Sequence, residues 1–356
     1  MKLIIQIPSY NESETLPQTI ADLPREIEGI DTIEYLVIDD GSADGTAKVA
    51  EAAGVHHILR NYTNIGLARS FARGLDYALG AGADIIVNTD GDNQYCGADI
   101  AKLVRPILER KAEVVIGDRQ TSTISHFSLT KKLLQTFGSS IVRYFSGVHV
   151  PDAVSGFRAI SRNAALQINI VSSFSYTIEM LIQVGKKSLA VESVPIRTNA
   201  KTRESRLFKS VFRFIERSAT TALRMYAMYQ PLRVFSLIGL FIAFIGMLPL
   251  IRFLYFYFFV SGEGKIQSLV IGSALLTVGS LTFLLGLLAD LVSRNRQLIE
   301  MTLVRVRAMD LEIQKLTGAN GALEHPAVSK EFENRGEGQN DEHGSDVTQG
   351  ERPLEK

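Results

Sequence analysis

The sequence predicts an α/β domain, a mostly parallel sheet with helices on both faces, followed by a two-helix transmembrane anchor. Three observations carry this. Short apolar runs alternate with amphipathic stretches over the first third of the chain, the pattern of a parallel sheet buried on both faces. Polar and acidic clusters follow several of those runs, where ligands bind in such sheets. Later come two uncharged stretches, Val234–Ile251 with 18 residues, prolonged by the aromatic run Phe253–Val260, and Ile266–Ala289 with 24. Each is long enough for a bilayer crossing, which takes roughly 20 apolar residues as a helix.

Taken in order, Lys2–Ile7 reads as the first strand and Tyr35–Ile38 as the second. A helix follows at Ala43–Ala53, with Ser42 placed to cap it. His57–Leu59 is a short third strand, Leu67–Leu79 a helix, and Asp84–Asn88 the fourth strand. Ile100–Arg110 is helical and Glu113–Ile116 extended. Ile124–Phe145 sets Lys131, Lys132 and Arg143 among Phe127, Leu133, Leu134 and Phe137, which reads as amphipathic structure at a membrane surface. Lys209–Arg224 reads as a basic helix lying on lipid. Ser261–Lys265 turns the two membrane stretches into a hairpin, and Arg294–Leu316 continues as helix with an apolar seam of Val306, Met309, Ile313 and Leu316. From Thr317 the chain has nine acidic and four basic residues and much Gly, Glu and Asn, so the tail is expected to be disordered. The expected partition is a catalytic domain over 1–205, juxtamembrane helices over 206–231, membrane helices over 232–293, a further helix over 294–316 and the tail over 317–356.

Charge sets the orientation. Lys201–Arg233 carries eight basic and two acidic residues, and Ser293–Arg307 four and one. By the positive-inside rule both flanks, and with them the large N-terminal domain and the C-terminus, are expected on the cytoplasmic side of a cell membrane. No signal peptide pattern precedes the first strand. The 38 basic and 38 acidic residues balance, which speaks against a nucleic-acid binder, and one cysteine excludes a disulfide framework or a Cys-rich zinc site.

The chemistry concentrates at predicted strand ends. Asp90-Gly91-Asp92 sets two carboxylates one residue apart after a buried strand, a pattern able to hold a divalent cation and, through it, a diphosphate. Asp39-Asp40-Gly41-Ser42 ends a second strand on the same edge, where a carboxylate can accept from a nucleobase imide or a ribose hydroxyl. With these stand Ile7-Pro8-Ser9-Tyr10-Asn11-Glu12, Asn64-Ile65-Gly66, Thr89-Asp90-Gly91-Asp92-Asn93-Gln94, Gly117-Asp118-Arg119 and Asp152-Ala153-Val154-Ser155-Gly156-Phe157-Arg158. In this order the motifs resemble family-2 glycosyltransferases of the dolichol-phosphate mannose synthase type, including polyprenyl-phosphate hexose transferases. The likeness covers residues 1–230, and the two-helix anchor resembles one subgroup.

That resemblance implies a GT-A nucleotide-sugar fold, Mg²⁺ or Mn²⁺, and inverting transfer of one hexose from a nucleotide sugar, a UDP-hexose on subgroup resemblance, to a polyprenyl phosphate. It places Pro8, Tyr10, Glu12 and Asp40 in the nucleoside pocket, and Asp90 and Asp92 at the metal and diphosphate with Gln94 as a further ligand. Asp152 would face the reaction centre or the metal. Gly91 stands where many relatives carry Ala, a change expected to matter little. Donor diphosphate and lipid phosphate repel each other by several kcal/mol in a partly dry site, so cations must offset this. Arg119, Arg203 and Arg206 are the candidates, the last two from the basic stretch Lys201–Leu207, because the planar guanidinium bonds phosphate bidentately. No general base is needed, since a phosphate oxygen is already ionised. A GDP-mannose-dependent mannosyltransferase is the alternative, and a catalytically silent membrane scaffold a further one. A processive synthase would need a Gln-x-x-Arg-Trp motif, and the chain has no Trp. Regular glycines at Gly239 and Gly246, and at Gly272, Gly279 and Gly286, either close the hairpin or join copies; the resemblance suggests a tetramer.

Overall fold

The computed structural model describes residues 1–120, 146–171, 176–199, 226–260 and 266–316, together with Arg143, Thr220 and Arg224. The amphipathic structure expected at 124–145 and 209–224, the turn at 261–265 and the acidic tail otherwise lie outside the described residues. Seven strands form one sheet: β1 (Lys2–Ser9), β2 (Thr32–Asp39), β3 (His57–Arg60), β4 (Ile85–Asn88), β5 (Val114–Asp118), β6 (Arg158–Ser161) and β7 (Val191–Pro195), in the order β3-β2-β1-β4-β6-β5-β7. Every pairing is parallel except those of β6, which runs antiparallel to both β4 and β5. The sheet is therefore mixed α/β and mostly parallel, as the sequence predicts.

Helices α1 (Leu16–Ala21), α2 (Thr46–Ala52), α3 (Leu67–Gly80), α4 (Ile100–Leu108), α5 (Arg162–Gln167) and α6 (Tyr176–Lys186) cover the sheet. Alternation along β1 divides the core. Ile4 packs with Phe71 and Leu75 of α3 and with α6, whereas Leu3, Ile5 and Ile7 pack with Leu16 of α1 and Leu103 of α4. Each such side chain removed from water contributes about 1.5–3 kcal/mol, which is what holds the layers together. Because β2, β1 and β4 are parallel neighbours, the loops that leave them meet at one edge. β1 sits where the chain switches from building the sheet on one side to building it on the other, the position where open α/β sheets bind ligands.

The helix expected from Ala43 begins at Thr46, because Gly45 adopts φ +84° and ends the preceding turn. Asp44, just before that glycine, accepts from the Thr46 amide at 3.1 Å. The Ser42 hydroxyl instead accepts from the Asn11 amide at 2.9 Å, tying the β2 loop to the β1 loop. The structure also adds β6, β7, α1, α5 and α6 to the elements the pattern predicts.

α7 (Pro231–Phe259) and α8 (Ile266–Leu316) are long and apolar enough to cross a membrane. At 1.5 Å per residue, the 51 residues of α8 span about 76 Å, far beyond the roughly 30 Å of a hydrocarbon core. The glycine stripes face each other. A Cβ on Gly239 would lie 2.7 Å from the Gly279 carbonyl, and one on Gly272 2.9 Å from that of Gly246. Gly286 likewise abuts Phe235. The stripes thus close the hairpin within one chain, and the expectation of a tetramer is left to the resemblance alone.

Candidate active site

The β1, β2 and β4 loops bring the predicted carboxylates together. Asp90 lies two residues past β4. It keeps a small opening to solvent but is otherwise enclosed by Tyr95, Tyr176 and the backbone of Gly156. A Cβ on Gly156 would come within 3.2 Å of an Asp90 carboxylate oxygen and 2.9 Å of the Tyr176 hydroxyl, so only glycine lets this loop close over the acid. Tyr95 donates to Asp90 and accepts from the Gly156 amide at 3.2 Å, while its ring stacks on Phe157 with centroids 4.8 Å apart. Burial, with Asp92 and Glu12 close by, pushes the Asp90 carboxyl up to about 7, and Arg119 only partly offsets this.

Asp92 accepts from the Gln94 amide at 3.2 Å. Glu12, nearly buried, accepts from the Thr15 hydroxyl at 3.0 Å, and that hydroxyl also reaches the Gly91 carbonyl at 2.9 Å. The first loop is thereby pinned to the Asp90–Asp92 turn. A methyl on Gly91 would meet the Ser9 hydroxyl at 2.8 Å, which a rotation of that hydroxyl away from the Ile7 carbonyl relieves.

Arg119 and Asp152, 33 residues apart in sequence, form a two-point ion pair: Nε to Oδ2 at 2.7 Å and Nη2 to Oδ1 at 3.0 Å. Burial works against the Arg119 charge. Tyr95, Asp152 and Asp90 around it outweigh that and raise its pKa, so it stays protonated. The sequence places Arg119 against phosphate and Asp152 against the metal or reaction centre; the structure sets them against each other first, with their charges cancelling. Beyond this pair, Asp90 feels the negative charges of Asp92 and Glu12.

The two acids that end β2 differ in what they touch. The Asp40 carboxylate accepts from the Asn61 side chain at 2.8 Å and from the amides of Ile65 and Gly66 at 2.9 Å each, so it clamps the loop Asn61–Gly66 onto the sheet edge. Gly41 makes that approach possible: at φ +72° its Cβ would stand 2.7 Å from the Thr63 carbonyl carbon. Asp39 accepts from the Ser42 amide at 2.9 Å through one oxygen; the other accepts no hydrogen bond among the described residues, with the exposed Arg60 guanidinium 3.4 Å away. Pro8 is the last residue but one of β1, paired with Ile38, and Tyr10 is exposed on the same edge. Arg203 and Arg206 lie outside the described residues. Asn199, the last described residue before them, donates its amide to the Gln94 carbonyl at 2.9 Å and its side chain to the Asn93 carbonyl at 3.0 Å.

Three residues of this site carry roles that the sequence motifs do not separate out. Asp39 adjoins Asp40 within one motif, and only the hydrogen bonds distinguish them. Arg158 is wholly buried and donates to the carbonyls of Ser155, Thr177 and Ala153, fixing the loop that carries Asp152; burial lowers its pKa to about 10. Tyr176, against Gly156, takes a bond from Asn88 at 3.1 Å and stacks on Phe71 at 4.0 Å, joining the site to the core.

The donor set fits a hard divalent cation. Among the described residues no three His, Cys, Asp or Glu side chains gather as an all-protein metal cage. Mg²⁺ commonly takes one or two carboxylates and completes its shell with water and substrate phosphate, which suits the Asp90–Asp92 pair. The Asp90 carboxyl is raised first by burial and then by the charge of Asp92, and a cation held by both carboxylates would offset that repulsion.

The family model for glycosyl transferase family 2 matches residues 4–168. An uncharacterized protein of Methanocaldococcus jannaschii is 32% identical over 203 residues, covering 55% of this chain and 81% of that protein. Undecaprenyl-phosphate mannosyltransferase of Micrococcus luteus is 26% identical over 55% of this chain and 83% of its own length. UDP-N-acetylglucosamine–dolichyl-phosphate N-acetylglucosaminyltransferase of Methanococcus voltae is 29% identical over 54% and 83%. With the carboxylate pair standing where the motifs place it, the chain belongs to glycosyl transferase family 2 and is a glycosyltransferase.

Proposed function

We propose that this enzyme moves a single hexose from a nucleotide-diphosphate sugar, a UDP-hexose in the first instance, onto a polyprenyl phosphate held at a membrane. The observation that supports the reading is the Asp90–Asp92 carboxylate pair at the parallel edge of a domain followed by two membrane-length helices. The relatives from Micrococcus luteus and Methanococcus voltae are named for transfer to lipid phosphates, and they differ in the sugar.

Asp90 and Asp92, with Gln94 beside them, would hold Mg²⁺ or Mn²⁺, which supplies charge neutralisation for the donor diphosphate as it departs. Asp39, with an acceptor oxygen to spare, and Tyr10 and Pro8 would receive the nucleoside; Asp40 serves by holding the loop that walls the pocket. A lipid phosphate oxygen attacks the anomeric carbon, the bond from that carbon to the diphosphate oxygen breaks, and the nucleoside diphosphate leaves with the electron pair. Configuration inverts and no proton need move, so no base is required. Because Asp152 cancels the charge of Arg119, the pair orients donor hydrogen bonds without offsetting much repulsion. That task falls to Arg203 and Arg206, together with the cation that the two carboxylates would hold.

In this reading the helices anchor the enzyme with catalytic domain and C-terminus cytoplasmic, which the basic flanks support. Incubating the full chain in vesicles with polyprenyl phosphate and a panel of labelled nucleotide sugars tests the reading. Labelled lipid from one donor supports it and names the sugar; no labelled lipid from any donor overturns it.

A further inference from the structure

α8 does more than cross a membrane. From Ser293 its sheltered positions are Ser293, Arg296, Glu300, Val304, Arg307, Ala308 and Leu311, which fall at the three- and four-residue steps of one side of the helix. That side lies first against the segment that precedes α7 and then against the catalytic domain. The Ser293 hydroxyl donates to the Met228 carbonyl at 2.9 Å, and the Arg296 guanidinium stacks over the Tyr229 ring at 4.2 Å. Glu300 pairs with Lys187, just past the end of α6, at 3.3 Å, both less than a fifth exposed. Arg307 donates to the Asn169 side chain at 2.8 Å and lies 3.6 Å from Asp76 of α3. Asn169 is itself held rigid, its amide donating to Gln183 of α6 at 2.9 Å. Leu311 packs on the core cluster that contains Phe71 and Tyr176, the same Tyr176 that stands against Gly156 beside Asp90.

We infer that the part of α8 beyond Ser293 is a strut that fixes the orientation of the catalytic domain relative to the bilayer, so that a membrane-held acceptor meets the Asp90–Asp92 edge. The helix has no Gly or Pro after Gly286, so its membrane half and its docked half turn together as one rod. Contacts at Lys187, Asn169 and Asp76, with Leu311 on the core, hold the domain against the helix from Glu300 to Leu311. The docked face is mostly polar and charged, so it is weakened by reversing single charges without unfolding the core.

This rests on the lipid-phosphate reading, and the test separates the two. In Arg307→Glu the pairing with Asp76 becomes a repulsion; in the double variant Asp76→Arg, Arg307→Glu it is restored with signs exchanged, and Asn169 can donate its amide to the new carboxylate. Two readouts are taken on the full chain in vesicles. One is amide hydrogen exchange of α8 beyond Ser293. The other is transfer to long-chain polyprenyl phosphate in the bilayer against transfer to a short-chain, water-soluble prenyl phosphate. Arg307→Glu should speed exchange and raise KM for the bilayer acceptor at least fivefold, leaving nucleotide affinity and use of the short acceptor at wild-type values, and the double variant should recover both readouts. Unchanged exchange in Arg307→Glu overturns the strut whatever the acceptor proves to be. An equal loss with the short acceptor, or no recovery in the double variant, also overturns it. Failure of the wild type on every lipid phosphate would instead strike the functional reading.

Discussion

Asp90→Asn should make the metal-free protein more stable above neutral pH while abolishing transfer. The carboxyl is pushed up to about 7 by burial and by Asp92 and Glu12. A carboxyl whose pKa is raised in the folded state binds its proton more tightly there than in the unfolded chain. Folded stability therefore falls as pH climbs from the unfolded value of 3.8 to about 7, and is flat beyond. The displacement of about three pH units corresponds to about 4 kcal/mol at 1.36 kcal/mol per unit. Since Asp90 keeps an opening to water, about 2–4 kcal/mol is the expected range at pH 8, and at pH 5 the same arithmetic leaves less than half. Asparagine has the shape of the protonated acid and escapes this cost. The assay is thermal and denaturant unfolding of the full chain in detergent with EDTA, at both pH values. Adding Mg²⁺ or Mn²⁺ should raise the stability of the wild type and leave the variant where it was. A variant no more stable than wild type at pH 8, or a gain that persists undiminished at pH 5, would refute the reasoning.

Gly156→Ala drives a methyl against Asp90 and the Tyr176 hydroxyl, and should weaken Mn²⁺ binding at least tenfold, read by electron paramagnetic resonance, with a smaller loss of thermal stability. Arg158→Met strips three buried carbonyls of their donor and should cost about 3–5 kcal/mol in unfolding experiments, the usual toll of breaking a buried charged network. Gly279→Leu places a side chain into the Gly239 carbonyl and Ala243; it should separate α7 from α8, lowering cross-linking between engineered cysteines on the two helices, with the catalytic domain still folded. Arg203→Ala and Arg206→Ala should raise KM for the lipid phosphate with little change in nucleotide affinity by calorimetry; equal losses in both would put these arginines on the donor.

The sheet edge was legible because β1, β2 and β4 are apolar runs broken sharply by acids, and parallel neighbours must deliver those acids to one place. Other parts were hidden for physical reasons. β6 opens with Arg158, a charged residue that reads as loop until its three carbonyl partners are known. From Tyr176 to Val184, α6 is buried on every side, which erases the helical period. The Arg119–Asp152 pair joins segments distant in sequence, and motif order says nothing of which cation meets which anion. The docked side of α8 is polar, so periodicity points to the wrong face: the apolar seam of Val306, Met309 and Ile313 is exposed, while Arg296, Glu300 and Arg307 turn toward the domain. The glycine spacing was plain in the sequence, and only the facing helix showed which of its two uses it serves.

The most direct test of the central claim is labelled-sugar transfer from nucleotide sugar to polyprenyl phosphate by the purified full chain with Mg²⁺, run beside Asp92→Asn. The account predicts labelled lipid from the wild type, none in EDTA, and a loss of at least a thousandfold in Asp92→Asn with its fold intact. Undiminished transfer by Asp92→Asn, or by the wild type in EDTA, would contradict it.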